Sequence, residues 1–150
     1  MEKDCGQYNT SRPTFGAHGC AMMVKREVLE KVGMFAEKFF LYYEEWDWSA
    51  RIVKAKYTIW YAADAEIYHK ESLTVGKFNP IKVYYHTRNR ILYMRRNSNF
   101  FQFGIFTLIF IFFIIPKTVI NDLIRKDFVH LKFFLKGILW NFRFSSSSPV

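Results

Sequence analysis

Short apolar runs and charged segments alternate through the first part of the chain. Gly19–Val24 is apolar and has the length of a buried strand, and Lys25–Gly33 has the pattern of a short helix that ends at a glycine. Thr58–Tyr61 and Glu66–His69 are also strand-like. Strands that alternate with helices predict an α/β fold.

Two longer segments have the spacing of helices. In Glu44–Lys56 one side of the predicted helix is apolar and carries Trp46, Ala50 and Val53. Asn79 and Pro80 form an N-cap and a first-turn proline, which predicts a second helix to about Asn97. The apolar stripe of this second helix includes one charged side chain and consists of Ile81, Tyr84, Tyr85, Arg88, Ile91 and Leu92.

The segment Phe100–Ile115 contains sixteen residues and no charge. At 1.5 Å per residue it covers roughly 24 Å, which is shorter than the roughly 30 Å hydrocarbon core of a bilayer. Gln102, Gly104 and Thr107 weaken it further as a membrane span. A re-entrant or in-plane segment and a buried helix of a soluble protein are therefore alternatives. Because the segment has no polar face to turn toward water, its composition favours membrane association.

A basic and aromatic segment, Phe128–Phe144, follows the apolar one. Lys132, Lys136 and Arg143 recur along one side at helical spacing. This pattern is typical of an interfacial helix that binds anionic lipid. Nucleic acid is the less suitable partner, because the basic residues are dispersed among bulky apolar ones and do not form a polar surface.

Composition and charge agree with this division of the chain. With 150 residues, 51% of them apolar and 20% aromatic, the protein is too hydrophobic for a disordered tail. Residues 1–70 contain ten basic and ten acidic residues, whereas residues 71–150 contain twelve and three. The excess positive charge therefore lies in the half with the apolar segment. Cys5 and Cys20 have no metal-ligand spacing, which favours a reducing compartment, and the polar residues 1–14 do not form a signal peptide.

Three carboxylates lie among aromatic residues in FFLYYEEWDW, namely Glu44, Glu45 and Asp47. One interpretation is a helix N-terminus, where acidic side chains favour the positive end of the helix dipole and need no function. The aromatic surroundings favour a second interpretation. Acids that are crowded together with little water resist ionisation, so one of them is expected to have a raised pKa. Such a carboxylate is suited to act as a general base toward a sugar hydroxyl.

Several motifs occur in a recognisable order: VGMFAEKFF, EEWD, YHKES and, at Tyr84–Asn97, YYHTRNRILYMRRN. In this order Gly16–Asn97 resembles the C-terminal half of the catalytic domain of glycosyltransferase family 2, particularly its rhamnosyltransferase-like members. The resemblance implies part of a GT-A fold, an α/β fold, followed by a hydrophobic, membrane-associated helical tail. It also implies a nucleotide-sugar donor, a glycan or lipid-linked acceptor, and Mg²⁺ or Mn²⁺ as cofactor.

The resemblance also assigns roles to particular residues. Glu45 stands where the family's catalytic base is expected, with Glu44 or Asp47 as alternatives that share the role. Asp47 is expected instead to orient the start of the helix. His69 matches a histidine that approaches the metal or the donor diphosphate, and a satisfied residue at a strand end is its alternative. Arg88 is expected to bind a phosphate or the acidic loop, or to form a structural ion pair.

Other family features are absent from the sequence, above all an Asp-x-Asp motif for the metal and an N-terminal nucleotide-binding unit. The expectation is therefore a fragment that needs a donor-binding half on another chain. Residues 1–15 are expected to be a polar extension, residues 16–97 the transferase part and residues 98–117 the membrane segment. Residues 118–144 are expected to form a basic amphipathic helix and residues 145–150 a polar tail. The expected location is the cytoplasmic face of the bacterial inner membrane. The alternative function is a non-catalytic, membrane-bound remnant or interaction module.

Overall fold

The computed structural model describes residues 5–68 and 79–143, which are mostly helical and contain one two-stranded sheet. The described helices and strands are, in chain order, β1 (Arg12–Thr14), α1 (Arg26–Val32), α2 (Glu44–Lys54), β2 (Ile59–Tyr61), α3 (Pro80–Asn97), α4 (Phe100–Ile109), α5 (Ile115–Arg125) and α6 (Phe128–Arg143). A short 3₁₀ turn lies at Glu37–Phe39, and a π-helical turn joins α4 to α5 at Phe110–Ile114. The described residues form two compact units, residues 5–37 with 44–68 and residues 38–43 with 79–143.

The first unit combines α1, α2 and the sheet. Its core consists of the buried residues Val28, Trp48 and Ile52. Partly buried apolar side chains complete this core, and they are Met22, Val24, Leu29, Val32, Tyr57 and Ile59. Strands β1 and β2 pair antiparallel, with Pro13 opposite Trp60. The expected helix at Lys25–Gly33 and the expected strand at Thr58–Tyr61 are confirmed within a residue at each end.

Two predicted strands are wrong. Residues 19–24 have no regular structure, because the backbone turns at His18, whose carbonyl accepts the N–H of Ala21 at 3.3 Å. The apolar run is therefore split, and Met23 is 99% exposed. Residues 66–68 are also irregular, and His69 lies outside the described residues. The strand that does pair with β2 is Arg12–Thr14, which has none of the alternation that marks a strand in a sequence.

Helix α2 begins at Glu44 as predicted and ends two residues earlier than predicted, but its buried side was not predicted. Trp46 and Val53 are 51% and 41% exposed, whereas Trp48 and Ile52 are buried. The last two lie four residues apart and therefore share one side of the helix. The prediction counted apolar residues only, whereas the buried side of α2 also contains Asp47 and Ser49.

The second unit is built on α3, whose limits agree with the prediction. Its first turn is capped by Asn79, whose side chain accepts the N–H of Ile81 at 2.9 Å, and Pro80 occupies the first helical position. Ile91 of α3 forms a buried cluster with Phe110 and with Phe134 of α6.

Helix α6 packs closely on α3 at Gly137. A Cβ at this position would lie 2.8 Å from the carbonyl oxygen of Tyr84 and 2.9 Å from the Cβ of Thr87. Asn141, one turn later, is also buried, and its side-chain amide donates to the carbonyl of Arg88 at 3.1 Å. The absence of a side chain at Gly137 therefore sets the distance between the two helices.

The long helix, Phe100–Arg125, is longer than the predicted apolar segment. Its 26 residues are long and apolar enough to cross a membrane, and only 6% of its most apolar stretch is buried within the protein. Asn99 and Gln102 form a reciprocal capping box at its start, and the Thr107 hydroxyl donates to the carbonyl of Phe103 at 2.7 Å. Gln102 and Thr107, which weaken this segment as a membrane span in the sequence, thus form hydrogen bonds within the helix itself.

The π-helical turn in the long helix ends at Ile114, two residues before Pro116. A proline within a helix has no N–H to donate, and its ring clashes with the carbonyl four residues earlier. Local widening from α to π geometry relieves this clash and lets the helix continue. The helix that contains the charge-free segment Phe100–Ile115 therefore continues through Pro116 and α5 to Arg125.

A tight turn separates α5 from α6, so residues 118–144 do not form the single helix expected from the sequence. Lys126 adopts a left-handed conformation with φ 56°, and the Asp127 carboxylate accepts the N–H of His130 at 2.9 Å. The His130 ring also lies 2.6 Å from the buried Asp122 carboxylate. The predicted helix that begins at Phe128 is confirmed and extends to Arg143.

We predict that Gly137→Ala destabilises the protein by about 1–3 kcal/mol, because the added methyl group overpacks the contact with the backbone of α3. Thermal unfolding in detergent, followed by circular dichroism, measures the effect. Gly104→Ala is the matched control, since a Cβ there meets nothing within 4 Å. Alanine at this helical position is expected to be neutral or to stabilise by up to about 1 kcal/mol. Equal effects of the two substitutions would contradict the close packing at Gly137.

Candidate functional site

The carboxylates found in the sequence lie in the first turn of α2. The helix begins at Glu44, and its first turn contains Glu44, Glu45 and Asp47. This agrees with the interpretation that the acids mark a helix N-terminus, where negative charge is favoured. The three side chains nevertheless have different surroundings, and these decide what each of them can do.

Glu44 and Glu45 are half-buried, and each has one buried carboxyl oxygen, Oε2, without a hydrogen-bond partner. Burial raises the pKa of Glu44 above its ordinary value. The negative charge of Glu45 and a hydrogen bond between the two side chains raise it further, against the opposing effect of the Glu44 backbone N–H. The expected raised pKa is therefore present, and it belongs to Glu44.

Asp47 has a different environment. Its side chain is 1% exposed, and its carboxylate accepts the Nε–H of Arg51 at 3.0 Å. The two remaining guanidinium nitrogens of Arg51 donate at 2.6 Å to the carbonyl oxygens of Val32 and Met34. Asp47 and Arg51 therefore connect α2 with the turn that follows α1.

Trp48 contacts the same turn. Its indole N–H donates to the Gly33 carbonyl at 2.7 Å, and its ring packs 4.8 Å from that of Phe35. Gly33 has φ 78°, a conformation that favours glycine, as the predicted helix end requires. Sequence analysis missed Arg51, although its spacing of four residues from Asp47 is the signal of a helical ion pair.

Arg88 is buried in the second unit, 6% exposed. Its guanidinium donates to the carbonyl oxygens of Lys38 and Phe39, the second at 2.8 Å, and to the side-chain oxygen of Asn89 at 2.7 Å. Arg88 thus binds the backbone where the segment Phe39–Tyr43 begins, and this segment is called the aromatic loop. Phosphate binding by Arg88 stays a prediction.

Aromatic rings surround the same guanidinium. Its carbon atom lies 4.6 Å from the ring centres of Tyr85 and Trp140 and 5.7 Å from that of Tyr84. Ring faces attract a cation at these distances. The buried positive charge is therefore balanced by carbonyl dipoles and aromatic faces.

Asn89 is fully buried and contacts the aromatic loop as well. Its side-chain amide donates to the carbonyl oxygens of Phe39, Leu41 and Tyr42 at 2.7–2.8 Å. Within the loop, Phe40, Tyr42 and Tyr43 have positive φ angles, which side chains other than glycine rarely adopt. Asn89 therefore compensates a strained loop conformation, a role that sequence analysis did not anticipate. The available signal was its position beside Arg88 on the apolar side of α3.

The described residues provide no metal site. No group of three or more His, Cys, Asp or Glu side chains within residues 5–68 and 79–143 is arranged to hold a metal ion. His69, the predicted metal ligand, lies outside this part of the chain. The described residues therefore do not fit the expected Mg²⁺ or Mn²⁺ ion.

Comparison with known proteins gives similarity to glycosyltransferases. The chain is 31% identical over 88 residues to the low-salt glycan biosynthesis hexosyltransferase Agl10 of Haloferax volcanii, an alignment that covers 58% of this chain and 29% of the relative. It is 31% identical over 68 residues to the N-acetylglucosaminyl-diphospho-decaprenol L-rhamnosyltransferase of Mycobacterium tuberculosis, covering 45% and 22%. The alignments thus span less than a third of each relative.

No protein-family model and no solved structure matches the chain. The two named relatives are a hexosyltransferase and a rhamnosyltransferase, so the similarity is to enzymes that transfer sugars. It agrees with the resemblance seen in the sequence motifs at the level of a glycosyltransferase.

The raised pKa of Glu44 predicts a pH-dependent stability. As the pH rises through the ordinary glutamate pKa, the unfolded chain loses this proton while the folded protein keeps it, so folding becomes less favourable until the folded-state pKa is passed. Glu44→Gln removes this dependence. Relative to the wild type, its melting temperature is expected to be higher at about pH 7 than at about pH 4. Glu27→Gln, an exposed first-turn glutamate of α1, is the control. A Glu44→Gln difference that does not change with pH would contradict the assignment.

We predict that Asn89→Leu destabilises the protein by about 2–4 kcal/mol, because it leaves the three loop carbonyls without their donor in a buried place. Leucine has a similar size, so the effect reports the hydrogen bonds more than the packing. Asn121→Leu, at an exposed position of α5, is expected to change the stability by less than about 0.5 kcal/mol. Denaturant unfolding in detergent measures both. A small effect of Asn89→Leu would show that the loop does not depend on this side chain.

Proposed function

We propose that the chain is the acceptor-binding, general-base part of an inverting glycosyltransferase of family 2 with a GT-A fold. Its reaction moves a sugar from a nucleotide-sugar to a cell-surface polysaccharide or glycolipid acceptor. The observation that carries the proposal is the pair of half-buried glutamates at the start of α2, in a chain similar to two named glycosyltransferases.

Glu45 is the proposed base. Glu44, whose pKa is raised by burial and by the negative charge of Glu45, lies beside it and is the alternative acceptor of the proton. Glu45 is half-buried, whereas Asp47 is 1% exposed, so part of the Glu45 side chain is open to an acceptor hydroxyl.

In the proposed step, the acceptor hydroxyl gives its proton to Glu45 while its oxygen attacks the anomeric carbon of the donor sugar. The bond between that carbon and the nucleotide diphosphate breaks, and its electron pair leaves with the diphosphate. Attack from the side opposite the leaving group inverts the anomeric configuration. Glu44, with its raised pKa, lies beside Glu45, and Asp47 positions α2 through Arg51.

The donor site is proposed to lie outside the described residues. A donor-binding part, on another chain or elsewhere, would supply the nucleotide pocket and the ligands of Mg²⁺ or Mn²⁺. His69 and Arg88 are assigned to the donor diphosphate by the resemblance alone. Neither enters the mechanism, since His69 is not described and Arg88 already donates to the carbonyls of Lys38 and Phe39.

The long helix and α6 extend the proposal to the location of the protein. They would associate with the cytoplasmic face of the bacterial inner membrane, where nucleotide-sugars are available. The alternative function is a non-catalytic, membrane-bound remnant or interaction module, and the experiment below separates the two.

Sugar transfer is tested with membranes from cells that produce the full chain together with a donor-binding part. The membranes are incubated with radiolabelled UDP-hexoses, GDP-hexoses and dTDP-rhamnose. We predict that Glu45→Gln lowers the turnover of label into glycan roughly 10²–10⁴-fold. Glu44→Gln tests whether the neighbouring acid shares the role, and Glu27→Gln is the control for charge removal from a helix start. Equal turnover by Glu45→Gln and the wild type would reject Glu45 as the base. Membranes in which the wild-type chain adds no transfer above the donor-binding part alone would favour the non-catalytic alternative.

A further inference from the structure

The long helix contacts the rest of the second unit at its midpoint. Phe110 is buried in one cluster with Ile91 of α3 and with Phe134, whose ring centre lies 6.4 Å from that of Phe110. Phe110 comes ten residues after Phe100, about 15 Å along the helix axis. If the long helix crossed a membrane from Phe100 onward, this cluster would lie near the middle of the roughly 30 Å hydrocarbon core.

Helix α3 is unsuited to that depth. Ile91 follows Arg88, Asn89 and Arg90 directly, and the same helix carries Lys82, Arg95 and Arg96. Basic side chains at the centre of a bilayer are strongly unfavourable. The interface between α3 and α6 is also polar, since the Arg95 guanidinium donates to the Asn141 carbonyl at 2.9 Å. A spanning long helix would thus draw a polar helix into the hydrocarbon.

The outer side of α6 has the pattern of a helix at a membrane surface. On the side opposite the buried Phe134, Gly137 and Asn141, an exposed apolar strip consists of Phe128, Leu135, Leu139 and Phe142. The exposed Lys132 and Lys136 lie beside this strip. An apolar strip next to basic residues matches the boundary between acyl chains and anionic headgroups.

We propose that the long helix lies in the plane of one membrane leaflet together with the outer side of α6, so that both ends of the long helix are on the same side of the membrane. Lys132 and Lys136 then contact anionic lipid headgroups, and α3 faces water. The excess of twelve basic over three acidic residues in residues 71–150 complements an anionic leaflet. This inference rests on the membrane association in the proposed function and is independent of sugar transfer.

Cysteine labelling tests the orientation of the long helix. Two variants of the full chain each carry a single cysteine. In the first, Cys5→Ser leaves Cys20, which precedes the long helix in the chain. In the second, Cys5→Ser and Cys20→Ser are combined with Arg125→Cys, which places the cysteine at the end of the long helix. A membrane-impermeant maleimide is applied to intact spheroplasts and to inverted membrane vesicles. We predict that both cysteines react in the inverted vesicles and that neither reacts in the spheroplasts. Reaction of the two cysteines in opposite preparations would overturn the proposal, because the helix would then span the membrane.

A depth measurement provides a second criterion. A spin label is placed at one of three exposed positions along the long helix, by Ile105→Cys, Phe112→Cys or Ile120→Cys. An in-plane helix gives similar accessibility of the three labels to oxygen and to a water-soluble nickel complex, whereas a spanning helix gives one deep and two shallow labels. Full accessibility of the Phe112→Cys label to the nickel complex would also overturn the proposal, since lipid would not cover the helix.

The lysines test the headgroup contact. Binding of the purified protein is compared between phosphatidylcholine vesicles with and without phosphatidylglycerol. Lys132→Gln and Lys136→Gln together are expected to weaken binding to the anionic vesicles by about 30-fold, and either one alone by about 5-fold. Lys54→Gln, an exposed lysine of α2, is the matched control. If the double variant weakens binding to anionic vesicles no more than the control does, the proposed contact between α6 and the headgroups is wrong.

Discussion

The buried guanidinium of Arg88 is the group on which the second unit depends. Removing a charge from water costs several kcal/mol unless hydrogen bonds and nearby charges or dipoles compensate. Here the carbonyls of Lys38 and Phe39, the Asn89 side chain and three aromatic rings surround the cation. Since Trp140 belongs to α6 and the carbonyls belong to residues 38 and 39, the same charge connects both of these segments to α3. The carbonyl of Arg88 accepts the Asn141 amide, and Gly137 leaves room for this approach.

Two different uses of carboxylates are found within one turn of α2. Asp47 is buried and paired with Arg51, which also donates to the turn after α1. The charge of Asp47 therefore stabilises the local structure. Glu44 and Glu45 each keep one buried oxygen without a partner. A buried polar atom without a partner is costly and is rarely retained without a reason. This asymmetry supports the proposal that the glutamates, and not Asp47, act on an acceptor hydroxyl.

The ends of helices could be predicted from the sequence where neighbouring residues alone determine them. The Asn79–Pro80 start of α3 and the glycine end of α1 depend on neighbouring residues alone, and both are present in the structure. Long-range contacts were not predictable in the same way. Arg12–Thr14 is a strand only because Ile59–Tyr61 pairs with it, and Trp48 is buried instead of Trp46 because its indole N–H meets the Gly33 carbonyl. For the candidate site, a raised pKa among crowded acids was predictable. That the raised pKa belongs to Glu44 depends on the burial of this side chain, which no pattern in the sequence reveals.

The pKa of Glu44 reflects a competition between two effects of its position. The N-terminus of a helix favours a charged carboxylate by about 0.3–1 kcal/mol at an exposed site, and the backbone N–H of Glu44 acts in the same direction. Burial acts against the charge, and so does the carboxylate of the next residue. Because the net shift is upward, desolvation outweighs the helix dipole. In the proposed reaction, the raised pKa makes Glu44 a stronger proton acceptor than an ordinary glutamate, so it can share the general-base role with Glu45.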